Sequence, residues 1–350
     1  MTHIEDLRIE RAHETDADDI VGVIHAAFGA RASVSPPPPA LAETSATIAA
    51  EIAEGSGVVA RVAGRIVGVI LVATDDDRRA FLRRVSVHPD FQKAGVASAM
   101  VPAADQIAAS MGCRTGALVV RREFPGLLAW WQRCGYHVVR TDDLLYHLER
   151  KLPVIVRVPD ADAMRGLGRR LAAIVRSGDL IMLEGELGAG KTTFAQGFGA
   201  GLGITAPITS PTFVLSHVHA APDGPDLVHV DAYRLADADE LDDLDLASSA
   251  TEQVFLIEWG EGKAEHLAQD RLWVVIDRSS QSDERIVVLD GHGDRWAIDL
   301  EEALGLTPPN GYGLHEFPSG AIVEQHQKAP GENTPGQNIP GENTPSQEEG

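Results

Sequence analysis

A phosphate-loop pattern constrains the fold of this chain more than any other feature of its sequence. Residues 185–192 read GELGAGKT and fit G-x-x-x-x-G-K-[ST], with an apolar run at 180–183 before them and a helix-forming sequence after them. Glycine tolerates backbone torsions that other residues avoid, so consecutive N–H groups of such a loop can point inward at phosphate oxygens. The sequence therefore predicts an α/β domain in which a strand, this loop and a helix bind a nucleotide.

The side chains of the loop predict distinct roles. Lys191 is expected to reach the outer phosphates as a catalytic residue, and Thr192 is expected to offer its hydroxyl to Mg²⁺. The helix that follows presents the positive end of its dipole to the same anion. We predict that ATP is contacted by Gly185, Gly188, Ala189, Gly190, Lys191, Thr192 and Thr193.

Two acidic residues are candidates for the metal and water chemistry that a phosphate loop requires. Glu258 follows the apolar run 254–257, and Asp231 follows the strand-like run 227–230, so each is expected at the end of a strand. Either acid alone is also consistent with an ordinary solvated residue in that position. The sequence SPTF at 210–213 lies between the loop and the two acids, where a nucleotide-sensing segment is plausible.

The charge balance limits the partners of the protein. The 350 residues contain 30 Lys and Arg against 52 Asp and Glu, a formal net charge of −22. Residues 151–306, which contain the phosphate loop, carry the largest share of it, −14. Broad nucleic-acid surfaces require clustered Lys and Arg. We therefore expect any contact with RNA to be indirect, through a protein partner.

Cysteine usage and hydropathy indicate the compartment. The two cysteines, Cys113 and Cys134, suggest neither a disulfide framework nor a zinc site of ordinary spacing. The first ten residues do not resemble a signal peptide. The most apolar stretch, 57–73, is interrupted by Arg61 and Arg65 and falls short of the ~20 residues that a spanning helix needs. A cytoplasmic protein without a membrane partner is expected.

The chain divides into three parts on these patterns. Residues 1–150 and 151–306 each alternate strand-like and helix-like sequences, and the second part includes a predicted helical run at 161–176. Leu152-Pro153 is too short a linker to hold two domains far apart. Residues 307–350 contain an imperfect ten-residue repeat of Pro, Gly, Asn, Glu and Gln, which cannot bury a core and predicts a disordered tail. An acidic run at 237–246 is expected to be a solvated helical face, with a partner contact through its leucines as the alternative.

The first part contains a second candidate anion site. Residues 85–97 predict a strand, a turn and the start of a helix, where backbone N–H groups can bind a pyrophosphate. Gln92, Gly95 and Ala97 form the pattern Q-x-x-G-x-A. The residues that we expect to contact a ligand there are Val85, Val87, Gln92, Lys93, Gly95, Val96 and Ala97.

The second α/β part resembles the TsaE family over about residues 154–300. The resemblance rests on four motifs in order, GELGAGKTT at 185–193, SPTF at 210–213, HVDAYRL at 229–235 and LIEW at 256–259. It implies an ATPase that works with TsaB and TsaD partners in threonylcarbamoyl modification of adenosine 37 of tRNAs. It further implies that Thr192 and Glu258 hold Mg²⁺, that Asp231 assists hydrolysis and that Trp259 lines the ATP site.

The first part resembles the GNAT N-acetyltransferases over about residues 7–150. The Q-x-x-G-x-A pattern, the expected hairpin at 58–72 and WWQRCGY at 130–136 occur in the order of that family. The resemblance implies a mixed sheet with flanking helices, acetyl-CoA as the cofactor and an amine acceptor, which the sequence does not identify. Many members carry Asn and Tyr where this chain has Phe124 and Trp131, and an indole cannot donate a proton in the role of that Tyr.

The departure from the GNAT pattern leaves the acid and base of the reaction open. Tyr136, Tyr146 or water are candidate acids, and Glu123 or Asp142 are candidate bases. The leading hypothesis is a fusion of an acetyltransferase with an ATPase. The alternative is a nucleotide-dependent interaction module whose first domain is a non-catalytic acetyl-CoA sensor or scaffold. A phosphotransferase would need an acceptor site, and none is evident in the sequence.

Overall fold

The computed structural model describes residues 6–31, 34–212, 214–244, 246, 252–278 and 283–306. These residues form two seven-stranded sheets with helices packed against them. Within this described part, no helix is both long and apolar enough to cross a membrane. The predicted tail, 307–350, lies outside the described residues.

The N-terminal sheet is mixed and has the strand order β1-β2-β3-β4-β5-β7-β6. The predicted hairpin is present, with Ala63 and Gly64 in left-handed conformations (φ 47° and 80°) at its turn. Two helices pack on one face of the sheet and α3 packs on the other. The elements are β1 (Leu7–Arg11), α1 (Ala17–Gly29), α2 (Ser45–Glu54), β2 (Ser56–Val62), β3 (Arg65–Thr74), β4 (Arg79–Val87), α3 (Val96–Ser110), β5 (Thr115–Arg121), α4 (Pro125–Arg133), β6 (His137–Thr141) and β7 (Leu145–Lys151).

The sheet opens between its two parallel strands. β4 pairs with β5 only over Arg79–Phe81, opposite Thr115–Ala117, although β4 continues to Val87. The backbone of the unpaired end of β4 is therefore free to face a ligand on that side. α3 begins nine residues after the end of β4, and its N-terminal residues line the same opening.

The C-terminal sheet has the order β10-β11-β12-β9-β13-β14-β8. Its centre is parallel, from β11 through β12 and β9 to β13, and the outer strands are antiparallel to their neighbours. The parallel strands are almost continuously apolar, as expected for strands covered on both faces. The elements are β8 (Val154–Val158), α5 (Ala161–Ala172), β9 (Leu180–Glu184), α6 (Lys191–Gly201), β10 (Ser216–His219), β11 (Leu227–Asp231), α7 (Ala238–Asp242), β12 (Val254–Glu258), β13 (Arg271–Asp277), β14 (Arg285–His292) and α8 (Leu300–Ala303).

The structure bears on two expectations about helices. The helical run at 161–176 ends at Ala172, because the chain turns into β9 and the Asp179 carboxylate accepts the backbone N–H of Arg176. In the acidic run, Leu241 and Leu246 are buried in the core rather than presented to a partner. The acids of that run lie around the short helix α7, consistent with a solvated face.

The two domains are in direct contact, as the short linker predicts. Ile155, Ile286 and Val288 of the C-terminal sheet belong to the hydrophobic cluster built around α3 of the first domain. Arg150 of β7 forms ion pairs with Asp105 of α3 and with Asp290 of β14. One apolar cluster and one buried ion-pair network therefore span both domains.

Candidate functional site

The phosphate loop lies between β9 and α6. Its glycines adopt positive φ angles, 146° at Gly185, 78° at Gly188 and 116° at Gly190, which side chains with a Cβ rarely tolerate. A backbone hydrogen bond from Ala189 to Glu186 closes the turn at 3.1 Å. The loop residues predicted from the motif therefore lie together at the N-terminus of α6, where the dipole favours an anion.

Lys191 lies inside the curve of the loop. Its Nζ donates to the carbonyl oxygens of Gly185 at 2.6 Å and Glu186 at 3.2 Å, and lies 4.0 Å from the centroid of the Trp259 ring. Burial lowers the pKa of this ammonium, while the nearby carboxylates, foremost Glu258, act in the opposite direction. The cation thus faces the acids of the site.

Asp231 and Glu258 end two adjacent parallel strands and are paired residue to residue in the β11–β12 register. Both are 2% exposed. Oδ2 of Asp231 accepts hydrogen bonds from the hydroxyls of Ser210 and Thr212, so the 210–212 segment contacts the acid directly. Phe213 of the same motif lies outside the described residues.

Trp259 follows Glu258 in a left-handed conformation, with φ of 59°. Its ring contacts the Lys191 ammonium and also the ring of Tyr233, whose centroid is 5.2 Å away. The next turn is held by a residue that the sequence reasoning missed, Glu184, whose Oε1 accepts the backbone N–H of Glu261 at 3.0 Å. Burial raises the pKa of Glu184 to about 8. The sequence did contain a signal for this role, because Glu184 is an acidic residue at the end of an apolar strand, directly before the loop.

The donor set of the site fits a magnesium nucleotide. Mg²⁺ prefers oxygen ligands and binds through one or two protein oxygens together with substrate phosphates. Thr192 supplies a hydroxyl in the first turn of α6, and the buried Glu258 has Oε1 hydrogen-bonded to His229. Within the described ranges, no cluster of three or more His, Cys, Asp or Glu is arranged to hold a metal by itself.

The first domain has a cavity of about 590 Å³ at the opening between β4 and β5. Gly95 caps α3 in a left-handed conformation (φ 82°), and the side-chain amide of Gln92 donates to the carbonyl of Val87 at 3.1 Å. All seven residues predicted to contact acetyl-CoA line this cavity: Val85, Val87, Gln92, Lys93, Gly95, Val96 and Ala97.

The candidate acids are not in the cavity lining. Tyr136 is 1% exposed in the core, and its hydroxyl donates to Oδ1 of Asp105 at 2.6 Å. Its hydroxyl is therefore engaged within the core and does not line the cavity, and burial raises the pKa of Tyr136 well above its usual value. Tyr146 lies on β7 beside the Arg122 guanidinium, also outside the lining residues.

The candidate bases separate in the same way. Glu123 lines the cavity and pairs with Arg121 at 2.6 Å, which lowers the pKa of the Glu123 carboxyl. Asp142 instead accepts hydrogen bonds within its own turn and from His147.

The expectation for Trp131 also needs correction, because its ring is buried in the core and the neighbouring Trp130 lines the cavity with Phe124. The packing of α4, not the motif spacing, decides which indole lines the cavity.

These features define the class of protein, an α/β domain with a phosphate loop joined to a second α/β domain with a separate ligand cavity. The chain belongs to the TsaE family through its C-terminal domain. Residues 158–287 match the family described as threonylcarbamoyl adenosine biosynthesis protein TsaE, and residues 27–136 match the acetyltransferase (GNAT) family. The fold is thus a GNAT domain followed by a TsaE domain.

Two known TsaE proteins with similar sequences support the assignment of the C-terminal domain. The tRNA threonylcarbamoyladenosine biosynthesis protein TsaE of Streptomyces coelicolor is 57% identical over 139 residues, 38% of this chain and 94% of that protein. The protein of the same name from Mycobacterium bovis is 46% identical over 137 residues, 37% of this chain and 82% of that protein. The crystal structure of PaiA N-acetyltransferase from Thermoplasma acidophilum with coenzyme A is 16% identical, covers 42% of this chain and 99% of its own, and superposes with a TM-score of 0.38.

Proposed function

We propose that the C-terminal domain is a Mg²⁺-dependent ATPase that supports threonylcarbamoyl modification of adenosine 37 in tRNA, together with TsaB- and TsaD-type partners. The names of its relatives supply the pathway. One observation supports the ATPase proposal most directly: Asp231 and Glu258 lie side by side at the ends of β11 and β12, near Lys191 of the phosphate loop.

The residues of the site divide the chemistry as follows. The loop N–H groups and Lys191 bind the outer phosphates of ATP, and Thr192 and Glu258 hold Mg²⁺. Mg²⁺ supplies neutralisation of phosphate charge. Asp231, oriented by the hydroxyls of Ser210 and Thr212, accepts a hydrogen bond from the attacking water. Trp259, whose ring lies beside the Lys191 ammonium, lines the ATP site.

Hydrolysis by a Lys191→Ala variant tests the ATPase. Loss of the ammonium removes the charge that binds the outer phosphates, so turnover should fall to background while the folded content, read by circular dichroism, stays that of the parent. A folded variant that hydrolyses ATP at the parental rate would show that the loop is not the active site.

The partner hypothesis has its own test. The net charge of −14 on residues 151–306 makes this surface a poor match for tRNA phosphates, which favours recruitment through protein subunits. Co-purification of the full chain with TsaB- and TsaD-type proteins, with and without ATP, should give a complex. Tight binding of tRNA by the chain alone at physiological salt would contradict indirect recruitment.

For the N-terminal domain we infer transfer of an acetyl group from acetyl-CoA to an amine. The cavity at the open end of β4 supports it, because all seven residues predicted for the cofactor line that cavity. Glu123 is the candidate base for the amine proton, and water is the remaining candidate acid for the CoA thiolate. The sensor alternative is favoured by one specific observation, that neither Tyr136 nor Tyr146 lines the cavity. Release of free CoA over a panel of amines distinguishes transfer from sensing.

A further inference from the structure

His229 is a buried residue of β11 with no role assigned by the motifs or the charge pattern. It is 0% exposed, and its Nε2 lies 2.9 Å from Oε1 of Glu258. A carboxylate can only accept hydrogen bonds, so the imidazole N–H is the donor. This contact joins a core side chain of one strand to the proposed magnesium ligand at the end of the next.

The strand register explains why the two groups meet. His229 pairs with Leu256, and Asp231 pairs with Glu258, in the parallel β11–β12 ladder. Side chains two residues apart lie on the same face of a strand. His229 therefore lies on the face that carries both acids, one step back from the catalytic edge, and reaches Glu258 diagonally.

Apart from Glu258, the surroundings of His229 offer few polar groups for a hydrogen bond. Its Nδ1 is buried and has no hydrogen-bond partner among the described residues. The ring of His219 is a neighbour, with ring centroids 6.5 Å apart. A buried polar side chain is costly unless it is hydrogen-bonded, so a histidine retained here satisfies its polarity mainly through Glu258.

We propose that His229 is a positioning residue that fixes the Glu258 carboxylate for Mg²⁺. The Nε2–H···Oε1 bond sets the rotamer of Glu258 and leaves its second oxygen directed to the metal side. Hydrogen-bonded partners of metal ligands commonly orient the ligand and tune its affinity. The proposal rests on the proposed ATPase function, since it concerns the same site.

The experiment compares magnesium affinity with nucleotide affinity in the full-length protein. His229→Leu removes the N–H and keeps an apolar side chain, while His229→Gln retains an amide donor of similar reach. His217→Leu is the matched control, because His217 is the exposed residue directly opposite His229 in the β10–β11 ladder. A fluorescent ADP analogue is titrated in EDTA and then with increasing Mg²⁺, and binding of Mn²⁺ is followed separately by its electron paramagnetic resonance signal.

We expect His229→Leu to weaken Mg²⁺ and Mn²⁺ binding about 10-fold or more, with an unchanged nucleotide Kd in EDTA. His229→Gln should recover most of the metal affinity, and His217→Leu should match the parent. In a Glu258→Gln background, His229→Leu should add little, because the residue acts through Glu258. If His229→Leu does not fold, His229→Met, which also lacks the N–H donor, takes its place; a loss of metal affinity of about 10-fold or more is expected, and parental metal affinity in that variant would overturn the proposal.

Two outcomes would overturn the proposal that His229 positions Glu258. Parental metal affinity in His229→Leu would show that Glu258 needs no such support. Equal losses of nucleotide affinity with and without Mg²⁺, in both His229 variants, would show a structural role only. A parent protein without Mg²⁺-dependent nucleotide binding would instead refute the proposed function itself, so the two failures are distinguishable.

Discussion

The Glu184 carboxylate accepts a hydrogen bond from the backbone N–H of Glu261, which ties the strand entering the phosphate loop to the turn that follows Trp259. This bond crosses from β9 to the segment after β12, the two strands whose ends build the nucleotide site. A single buried acid therefore fixes the spacing between the phosphate loop and the Glu258–Trp259 pair.

Glu184 should make stability depend on pH. Burial raises the pKa of the carboxyl from 4.5 to about 8, so between these values the folded protein holds a proton that the unfolded chain releases. The stabilisation is complete below pH 4.5 and is lost as the pH rises through 8. Between pH 6 and 9 the parent should therefore lose on the order of 1–3 kcal/mol of its free energy of unfolding through this group, whereas Glu184→Gln, which stays neutral, should not show that loss.

Urea unfolding of the ligand-free protein at pH 6, 7, 8 and 9 measures this dependence. Glu186→Gln is the control, because Glu186 is exposed two residues further along the chain and should leave the parental slope intact. Identical pH slopes for Glu184→Gln and the parent would contradict a raised pKa at this position.

Glu258→Gln should separate turnover from nucleotide binding. The amide keeps the size of the side chain but removes the negative charge proposed to hold Mg²⁺, so kcat should fall about 100-fold or more. The nucleotide Kd measured in EDTA should not change, since no metal is present. Steady-state phosphate release and equilibrium titration give the two quantities, and an unchanged kcat would rule out the metal role.

The hydroxyl of Thr212 should matter for catalysis more than for binding. It donates to Oδ2 of Asp231, which the proposed mechanism places on the attacking water. Thr212→Val should lower kcat roughly 10-fold with a near-parental nucleotide Kd, because an unoriented carboxylate positions water poorly. Thr212→Ser keeps the hydroxyl and should restore the rate; equal defects in both variants would point to packing instead.

Arg150 should be a major determinant of stability across the domain boundary. It is buried between Asp105 of the first domain and Asp290 of the second. Desolvation raises the pKa of Asp105 to about 6 despite the opposing Arg150 charge. Arg150→Met would leave Asp105 buried without its cation, at a cost of roughly 3–5 kcal/mol in the free energy of unfolding.

Chemical denaturation followed by tryptophan fluorescence measures that cost. Arg140→Met is the control, because this β6 side chain is 61% exposed and its loss should change stability by less than about 1 kcal/mol. A loss for Arg150→Met no larger than that of the control would show that the ion pairs between the domains contribute little.

Glu123 and Asp142 should differ in acetyl transfer. Glu123 lines the cavity, whereas Asp142 stabilises a turn with Leu145 and His147. Glu123→Gln should reduce release of free CoA about 100-fold or more with unchanged acetyl-CoA binding, as expected for a general base. Asp142→Asn should release CoA at the parental rate. Equal rates for parent and Glu123→Gln would leave water or another group as the base.

Several features could be predicted because they depend on residues that are close in sequence. The phosphate loop requires glycine at positions where φ is positive, and Gly185, Gly188 and Gly190 adopt such angles. An apolar run before an acid predicts a buried strand with the acid at its end, as found for Asp231 and Glu258. The order of the motifs was enough to identify the family that each domain resembles.

The tertiary structure decided the contacts that depend on register and packing. His229 reaches Glu258, and Glu184 reaches the Glu261 amide, only because particular strands are neighbours in a particular register. The rotation of α4 places Trp131 in the core and Trp130 in the cavity. Sequence by itself determined which chemical groups are present and which local backbone they require. Which of these groups meet was set by long-range packing, because strand order, register and helix rotation are properties of the whole core.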